Sequence, residues 1–387
     1  MAGGSLGGLT AALVLRDRGC DVRVRERARS PLEDRGAGIV LHPATIRYLV
    51  SSGVRRPEQI GTPARVLRYM GAHGRSLSEQ PCRYRFASYH ALYRDLLGCF
   101  DADRYHLGSE VSGFHGEDEA VVVELADGGR ERADLLVCAD GVGSRSRARL
   151  LPEVAPRYAG YVGWRGAVSP SRLERAALAA LEGAITYHVM PHSHFLTYPI
   201  TSLEDGDERL INWLWYRNVE AGQPLDDLLT DRHGERRSVS VPPGAVQDRH
   251  LAELRGAAAE RLPGPLAATL TATDEPFVQT VFDVEVPRMA FDRVCLIGDA
   301  AFALRPHIAA GTAKAADDAW ALGEAMAACH GDVPRALRRW EPGRLALGRE
   351  ALRRTRAAGE RSQFECSWRV GDPLPFGLYE QGDSALD

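Results

Sequence analysis

The sequence has 387 residues, of which 44% are hydrophobic and 26% charged, a composition that excludes intrinsic disorder and predicts two closely packed domains. The formal net charge of -4 gives no basis for nucleic acid as the main partner. No apolar run is long enough to cross a membrane, no signal peptide is visible and the seven cysteines form no Cys-x-x-Cys pair, so a cytoplasmic protein without a metal site is expected.

The first motif is the glycine-rich segment GGSLGG at residues 3–8, which precedes a predicted apolar helix over residues 10–18. A predicted strand over residues 21–25 follows and ends at Glu26. This order is typical of a dinucleotide-binding unit, in which a strand also precedes the glycines. Only two residues precede them here, so most of that first strand is expected to be missing.

Individual residues of this motif have distinct predicted roles. Gly3 would permit the tight turn, and Gly8 would permit close contact between helix and strand. Ser5 stands where the second glycine of such motifs usually lies. Glu26 is placed to accept a hydrogen bond from a ribose hydroxyl. The alternative is an ordinary glycine-rich N-terminal tail.

Two arginines in the next segments are candidate phosphate contacts. Arg35 lies in a glycine-rich loop, and Arg94 lies in a predicted helix over residues 88–100. Either side chain could instead be solvated. Between them, residues 64–87 predict a polar hairpin that joins a second sheet.

Two buried strands, over residues 134–138 and 293–297, each end at an acidic loop, and they are expected to be neighbours in a parallel sheet. The acids are Asp140 and Asp299. After the second strand, the small residues 309–312 open a helix whose free N–H groups would attract an anion. The alternative is an ordinary connection from strand to helix that binds no ligand.

Residues 156–285 contain alternating, aromatic-rich strands that predict an antiparallel sheet with one covered face. Trp213 and Trp215 alternate with a leucine and therefore share one face, which we assign to the core. A long arginine-rich helix is expected over residues 334–364, and the Pro/Gly-rich tail at 371–387 is expected to be loose.

Taken in order, these segments resemble the class A, single-component flavoprotein monooxygenases, the p-hydroxybenzoate hydroxylase-like family. Three motifs carry the resemblance: GGSLGG with Glu26, CADGVGSRSR at residues 138–147, and LIGDAAFALRPHIAAGTAKAADDA at residues 296–319. The match covers nearly the whole chain. The segments YVGWRG, NWLWYRN and RPHIAAGTAKAA are similar to the 2,6-dihydroxypyridine 3-hydroxylase branch.

The resemblance implies an α/β fold with a Rossmann-like FAD-binding domain, an antiparallel-sheet substrate domain and a C-terminal helical segment. The expected division is 1–62, 88–155 and 286–332 for the FAD-binding domain, 63–87 and 156–285 for the substrate domain, 333–370 for the C-terminal helix and 371–387 for the tail.

The resemblance also implies which residues bind FAD. Ser5 and Leu6 would lie beside the pyrophosphate, Asp299 would bind the ribityl or pyrophosphate part, and Pro306 would lie against the isoalloxazine ring. Asp140 would be associated with both FAD and the nicotinamide cofactor. The full expected set is Gly3, Ser5, Leu6, Gly8, Glu26, Arg27, Arg35, Arg94, Val111, Asp140, Asp299, Pro306, Ala310, Gly311 and Thr312.

There is no second dinucleotide fingerprint, which fits the family's transient use of NADH or NADPH as reductant. The implied reaction passes through a flavin C4a-hydroperoxide formed with O₂, which hydroxylates a phenol- or hydroxypyridine-like ring. His307 and Tyr216 are the catalytic candidates, and Tyr198 and Gln279 join them as substrate contacts. Each could instead be a structural residue. A homodimer is left open.

Three other functions remain to be weighed. A flavin halogenase would carry a WxWxIP motif and a reactive lysine, whereas Trp213-Leu-Trp215 continues into Tyr-Arg and the only lysine, Lys314, lies in the predicted flavin-binding helix. The short N-terminus would suit a non-catalytic flavin-binding relic or a redox-responsive protein. A plain NAD-dependent dehydrogenase would leave the motifs at Asp140 and Asp299 without a role.

Overall fold

The computed structural model describes residues 1–32, 38–201 and 209–386. Arg35, one of the predicted FAD contacts, lies outside the described residues. Within these ranges, no helix combines the length and the apolar character that crossing a bilayer requires.

Helices and strands alternate along the first part of the chain, and strands dominate its middle. The helices are α1 (Leu6–Arg16), α2 (Pro43–Ser51), α3 (Tyr89–Gly98), α4 (Arg145–Leu150), α5 (Arg175–Leu181), α6 (Gln223–Leu228), α7 (Asp248–Arg261), α8 (Gly264–Thr271), α9 (Gly311–Ala328) and α10 (Val333–Gln363). The strands are β1 (Val24–Arg25), β2 (Gly38–Val40), β3 (Thr62–Met70), β4 (Ser76–Ser88), β5 (Tyr105–His106), β6 (Val111–Glu117), β7 (Ala120–Leu125), β8 (Arg130–Ala133), β9 (Leu136–Cys138), β10 (Arg157–Val168), β11 (Ala184–Met190), β12 (Ser193–Thr201), β13 (Arg209–Asn218), β14 (Ser240–Val241), β15 (Phe277–Asp283), β16 (Ala290–Phe291) and β17 (Val294–Leu296).

The parallel part of the fold joins the strands that precede the two acidic loops. β9 pairs in parallel with β17, with Cys138 opposite Leu296, so the predicted adjacency of these strands is confirmed. β1 pairs in parallel with β5. Ala2 forms parallel bridges to both Arg25 and Cys138 and thereby links the two pairs. Met1 extends this pairing, because its carbonyl accepts a 2.9 Å hydrogen bond from the N–H of Arg25.

The first helix begins earlier than the sequence indicated. α1 starts at Leu6, whereas the prediction placed its start at residue 10 because glycines disfavour helix interiors. The first turn of the helix includes Gly7 and Gly8. Residue 8 must be glycine because a Cβ there would lie 2.0 Å from the carbonyl oxygen of Gly3. The low helix propensity of glycine is thus accepted where the helix packs closely on the preceding turn.

A nine-stranded sheet forms the other half of the molecule, in the order β14-β15-β10-β13-β12-β11-β3-β4-β2. Its pairings are antiparallel except for the parallel pairing of β11 with β3. β3 and β4 form the predicted hairpin. The edge strand β2 had been expected in the FAD-binding segment, and its backbone pairing with β4 draws it into this sheet instead.

One face of this sheet is buried in the core. Trp213 and Trp215 pack there with Phe195, and the apolar residues Leu254 of α7 and Leu266 of α8 cover them. Each indole nitrogen donates a hydrogen bond to a hydroxyl, Trp213 to Thr273 and Trp215 to Ser193. The assignment of both tryptophans to the core is therefore confirmed.

The C-terminal tail is packed, so the expectation of a loose segment is wrong. Leu374, Phe376 and Leu378 are buried. The backbone N–H of Gly377 donates to the carbonyl of Ile308, and that of Leu386 donates to the carbonyl of Arg83. Proline and glycine composition predicted flexibility, but three apolar side chains at alternate positions bind the tail to the fold.

Candidate active site

A cavity of about 410 Å³ lies between the parallel strands and the uncovered face of the nine-stranded sheet. One wall consists of the start of α1, the loop after β17 and the start of α9. The opposite wall consists of β10, β12, β13 and β15, and the C-terminal tail closes one side. The predicted site residues that line it are Ser5, Leu6, Tyr198, Tyr216, Gln279, Asp299, Pro306, His307, Ala310, Gly311 and Thr312.

The glycine turn at the start of α1 depends on missing side chains. Gly3 has φ of 96°, and a Cβ there would lie 2.4 Å from the carbonyl oxygen of Ala139. Ser5 occupies the N-cap position without capping the helix, because its hydroxyl instead forms a 2.7 Å hydrogen bond with Tyr89. The first N–H groups of α1 therefore keep their hydrogen-bonding capacity beside Leu6, where the cavity begins.

Glu26 is buried, with 5% of its surface exposed, and it stabilises the glycine turn. Its carboxylate accepts 2.8 Å hydrogen bonds from the backbone N–H groups of Gly4 and Ala28. Glu26, like Gly3 and Gly8, does not line the cavity. The structure thus gives these three residues a part in shaping the turn, and their contact with a nucleotide stays a prediction.

Three further predicted FAD contacts are placed away from the cavity. Arg27 is exposed, and Val111 begins β6 on a separate small sheet. Arg94 lines a different groove, together with Arg16 and Tyr48. Helical periodicity alone could not tell which side of α3 would carry Arg94.

Asp140 is committed to the start of α4. Its carboxylate accepts a 2.6 Å hydrogen bond from the hydroxyl of Ser144 and a 3.0 Å hydrogen bond from the N–H of Ser146. The neighbouring Gly141, with φ of 80°, lines the cavity, and nothing lies within 4 Å of the place where its Cβ would be. Asp140 therefore fixes the loop, while Gly141 leaves room for a ligand.

The start of α9 presents a second uncapped helix N-terminus to the same cavity. Ala309 adopts a left-handed conformation with φ of 55°, and the N-cap residue Ala310 has no polar side chain. Gly311 and Thr312 line the cavity at the positive end of an 18-residue helix. This end suits an anion or a carbonyl oxygen on which negative charge develops.

Asp299 follows β17, and its side chain is exposed to the cavity. Because the surrounding protein separates the carboxyl group from bulk water, its pKa is raised, although the positive charges of Lys314 and Arg147 act against this shift. Together with the two helix N-termini, Asp299 suits an extended ligand with an anionic group at one end and hydroxyl groups in its middle.

Lys314 does not line this cavity. Its ammonium group is buried beneath the loop, 2.7 Å from Asp318 Oδ2. Asp318 Oδ2 also accepts a 3.0 Å hydrogen bond from the N–H of Gly298. The only lysine of the chain is therefore a structural cation that holds Gly298 in place, which removes the reactive lysine that a halogenase would need.

The sheet side of the cavity is aromatic and largely apolar. Tyr216 pairs in register with Gly163 on β10 and with His194 on β12, so its ring projects from the uncovered face. The Tyr198 hydroxyl donates a 2.9 Å hydrogen bond to the carbonyl of Gly38. Burial raises the pKa of Tyr198 to about 12 and that of Tyr216 further above its usual value, so both phenols are neutral.

His307 lies where the loop before α9 meets this sheet. Its Nε2 atom is 2.7 Å from the Tyr161 hydroxyl, and its ring centroid is 5.0 Å from that of Tyr216. Burial, assisted by the positive charge of Arg305, lowers the pKa of His307 to about 3. The imidazole is therefore uncharged at neutral pH and can exchange hydrogen bonds, but it is a weak base.

Several residues that line the cavity were not predicted. They are Tyr89, Arg165, Tyr187, His194 and Trp368. Strand alternation would have placed Arg165 and Tyr161 on one face, but the other four positions depend on packing between distant segments. The described residues contain no group of three or more His, Cys, Asp or Glu side chains suited to a metal ion.

Comparison with known proteins agrees with this geometry. The family described as "FAD binding domain-like" matches residues 158–283. The 2,6-dihydroxypyridine 3-monooxygenase of Paenarthrobacter nicotinovorans is 37% identical over 380 residues, which cover 98% of this chain and 95% of that protein. The 6-hydroxynicotinate 3-monooxygenase of Pseudomonas fluorescens is 27% identical, covering 86% of this chain and 82% of that protein.

The similarity extends to three dimensions. The solved structure of 2,6-dihydroxypyridine-3-hydroxylase from Arthrobacter nicotinovorans superposes with a TM-score of 0.93 at 36% identity, covering 98% of this chain and 96% of that one. The predicted fold and the predicted dependence on FAD are thereby confirmed. The chain belongs to the FAD-dependent aromatic monooxygenases of the p-hydroxybenzoate hydroxylase-like family, within its 2,6-dihydroxypyridine 3-hydroxylase branch.

Proposed function

We propose that this monooxygenase hydroxylates a small hydroxypyridine, with 2,6-dihydroxypyridine as the first compound to test. The observation that carries the proposal is the cavity itself, in which an aromatic sheet face with phenol and amide groups lies opposite an uncapped helix N-terminus. The relatives named for 2,6-dihydroxypyridine and 6-hydroxynicotinate act on the same class of ring.

The residues on the helix side fit FAD. The free N–H groups at Ser5 and Leu6 would hold the pyrophosphate, those at Gly311 and Thr312 would face the flavin ring, and Asp299 would accept hydrogen bonds from hydroxyl groups between them. When bound and reduced by NADH or NADPH, FAD would activate O₂, which is the source of the oxygen atom added to the ring.

The residues on the sheet side would position the substrate ring and exclude water. Leu196 and Leu214 line the cavity on the same sheet face as Tyr216, so this part of its surface is apolar and would help to exclude water. We propose that Tyr216 and His307 hydrogen-bond to the ring hydroxyl as neutral partners. Because a histidine with a pKa near 3 is a weak base, a neutral hydrogen-bonding role fits His307 better than that of a general base that takes the proton of the substrate.

The test of this function is an assay of NADH and NADPH oxidation by the FAD-loaded protein with and without each candidate ring. We expect 2,6-dihydroxypyridine or a close hydroxypyridine to stimulate oxidation and to yield a product that contains one added oxygen atom. Stimulation by hydroxybenzoates alone would contradict the substrate class. Stoichiometric FAD without stimulation by any aromatic compound would favour a non-catalytic relic.

Removing the Tyr216 hydroxyl tests the proposed contact with substrate. Tyr216→Phe is expected to lower kcat roughly 10- to 100-fold, the usual effect of losing a hydrogen bond to a developing charge, while FAD content stays normal. Tyr158→Phe is the matched control, because the Tyr158 hydroxyl donates to the carbonyl of Val219 and lies outside the cavity. Equal kcat in the Tyr216→Phe variant and the unmodified protein would remove Tyr216 from the mechanism.

A further inference from the structure

Arg165 lines the cavity, and its side chain has no hydrogen bond or ion pair among the described residues. It lies on β10, where its register partners are Leu214 of β13 and Phe277 of β15, neither of which can accept a hydrogen bond through its side chain. Its Nε atom is buried and has no hydrogen-bond partner. Among the described residues, no carboxylate forms an ion pair with its guanidinium group.

The other buried or cavity-lining arginines of the fold are satisfied. Arg361, which also lines the cavity, forms a 2.6 Å ion pair with Asp372. Arg305 is bound by Asp283 and Glu360 at 3.0 and 2.9 Å. Arg147 donates to the carbonyls of Val142, Val154 and Ala300. Each of these arginines has acceptors within the protein, whereas the half-buried Arg165 has none in the part of the chain that the structure describes.

An unpaired guanidinium with a buried Nε atom is costly, because removing part of a charged group from water carries a penalty that a partner offsets. Guanidinium is permanently charged, so Arg165 cannot avoid this cost by losing a proton. A cation that is kept unpaired at a ligand cavity indicates that the ligand supplies the negative charge.

The surroundings of Arg165 fit a flat ring with charge at its edge. Arg165 lines the same cavity as Tyr198 and Tyr216, and its positive charge acts to lower the pKa of both phenols against the larger effect of burial. Gly163, two residues earlier on the same face, lets Leu214 and Tyr216 pack against the strand backbone, because a Cβ there would lie 3.1 Å from Leu214 and 3.4 Å from Tyr216. Both of these side chains also line the cavity beside Arg165.

We propose that Arg165 binds the anionic edge of the substrate and thereby selects the ionised form of the ring. The proposal rests on the proposed function and deepens it: the substrate is a planar monoanion, whose deprotonated ring oxygen accepts charge-assisted hydrogen bonds from the guanidinium. This form of the ring is also the most electron-rich, so Arg165 acts on specificity by admitting the species that reacts.

The experiment measures dissociation constants of the FAD-loaded, oxidised protein from the change in flavin absorbance. The first probe is 2,6-dihydroxypyridine at a pH where it is ionised. Benzoate is the second, an anion whose binding can be measured whether or not hydroxypyridines are substrates. Benzamide is the third, a neutral molecule with the shape of benzoate. The variants are Arg165→Gln, Arg165→Lys and Arg217→Gln. The last is the matched control, because Arg217 lies on neighbouring β13, is paired with Glu253 at 2.6 Å and does not line the cavity.

We expect Arg165→Gln to weaken both anionic probes roughly 10- to 100-fold and benzamide by less than about 2-fold, with a smaller loss in Arg165→Lys because its charge remains. Arg217→Gln is expected to bind all three probes normally. Normal FAD content and far-UV circular dichroism would show that the variants are folded.

Two results would overturn the assignment: undiminished affinity of Arg165→Gln for the anions, or an equal loss of affinity for benzamide. Failure of the proposed function is distinguishable from either of these. If hydroxypyridines are not hydroxylated but Arg165→Gln still loses benzoate selectively, the anion site stands and only the identity of the ring changes.

Discussion

Replacing Lys314 with methionine is expected to destabilise the protein by about 3–5 kcal/mol, the usual cost of leaving a buried charge without its partner. Lys314 and Asp318 are 1% and 0% exposed, and their charged atoms lie 2.7 Å apart within one turn of α9. Burial raises the pKa of Asp318, while Lys314 acts to lower it. Without the lysine, Asp318 must either remain as a lone buried charge or take up a proton.

Urea unfolding at a fixed concentration of FAD measures this effect. The double variant Lys314→Met/Asp318→Leu is expected to recover most of the lost stability, because no charge is then stranded. Arg353→Met is the matched control: its pair with Glu350 is also within one helix but is exposed, so its loss is expected to change stability little. A loss below about 1 kcal/mol in Lys314→Met would show that the buried pair is dispensable.

Replacing Asp299 with alanine is expected to weaken FAD binding roughly 10- to 100-fold, because the carboxylate proposed to accept hydrogen bonds from the cofactor would be lost. Asp299 lies at the carboxyl end of β17, in the cavity that also contains both uncapped helix N-termini. The change removes polar atoms from a cavity surface and leaves no buried group unsatisfied. The fold is therefore expected to survive it.

The ratio of flavin to protein absorbance after gel filtration, followed by titration of the FAD-free protein with FAD, gives the result. Asp274→Ala is a suitable control, since it removes an exposed carboxylate that pairs with Arg172 on the surface. A normal FAD content in Asp299→Ala would contradict the placement of the cofactor. A loss of FAD in both variants would indicate a general defect in folding.

Local features of this site were predictable because their causes are local. The acids after β9 and β17 follow directly from buried strands that end in polar loops, and strand order then brings those loops together. The close approach around Gly3 and Gly8 is likewise encoded by residue type. These signals placed Asp299 and the start of α9 in the site before any tertiary contact was known.

Features that depend on register and on distant packing were not predictable. His194 faces the cavity because β12 pairs with β13 at Tyr216, and a shift of one residue would have turned it into the core. Trp368 reaches the cavity through the packed segment after α10. The tail was expected to be loose because composition does not reveal which three apolar residues find a surface to cover.

The alternation along β12 and β13 has a consequence for engineering. Residues 196, 198, 214 and 216 line the cavity, whereas Phe195, Trp213 and Trp215 between them belong to the core on the opposite face. A mutant library confined to the first set would therefore vary the shape of the binding surface while leaving the tryptophan layer intact. Variants with new ring substrates could then be selected while the tryptophan side of the core stays unchanged.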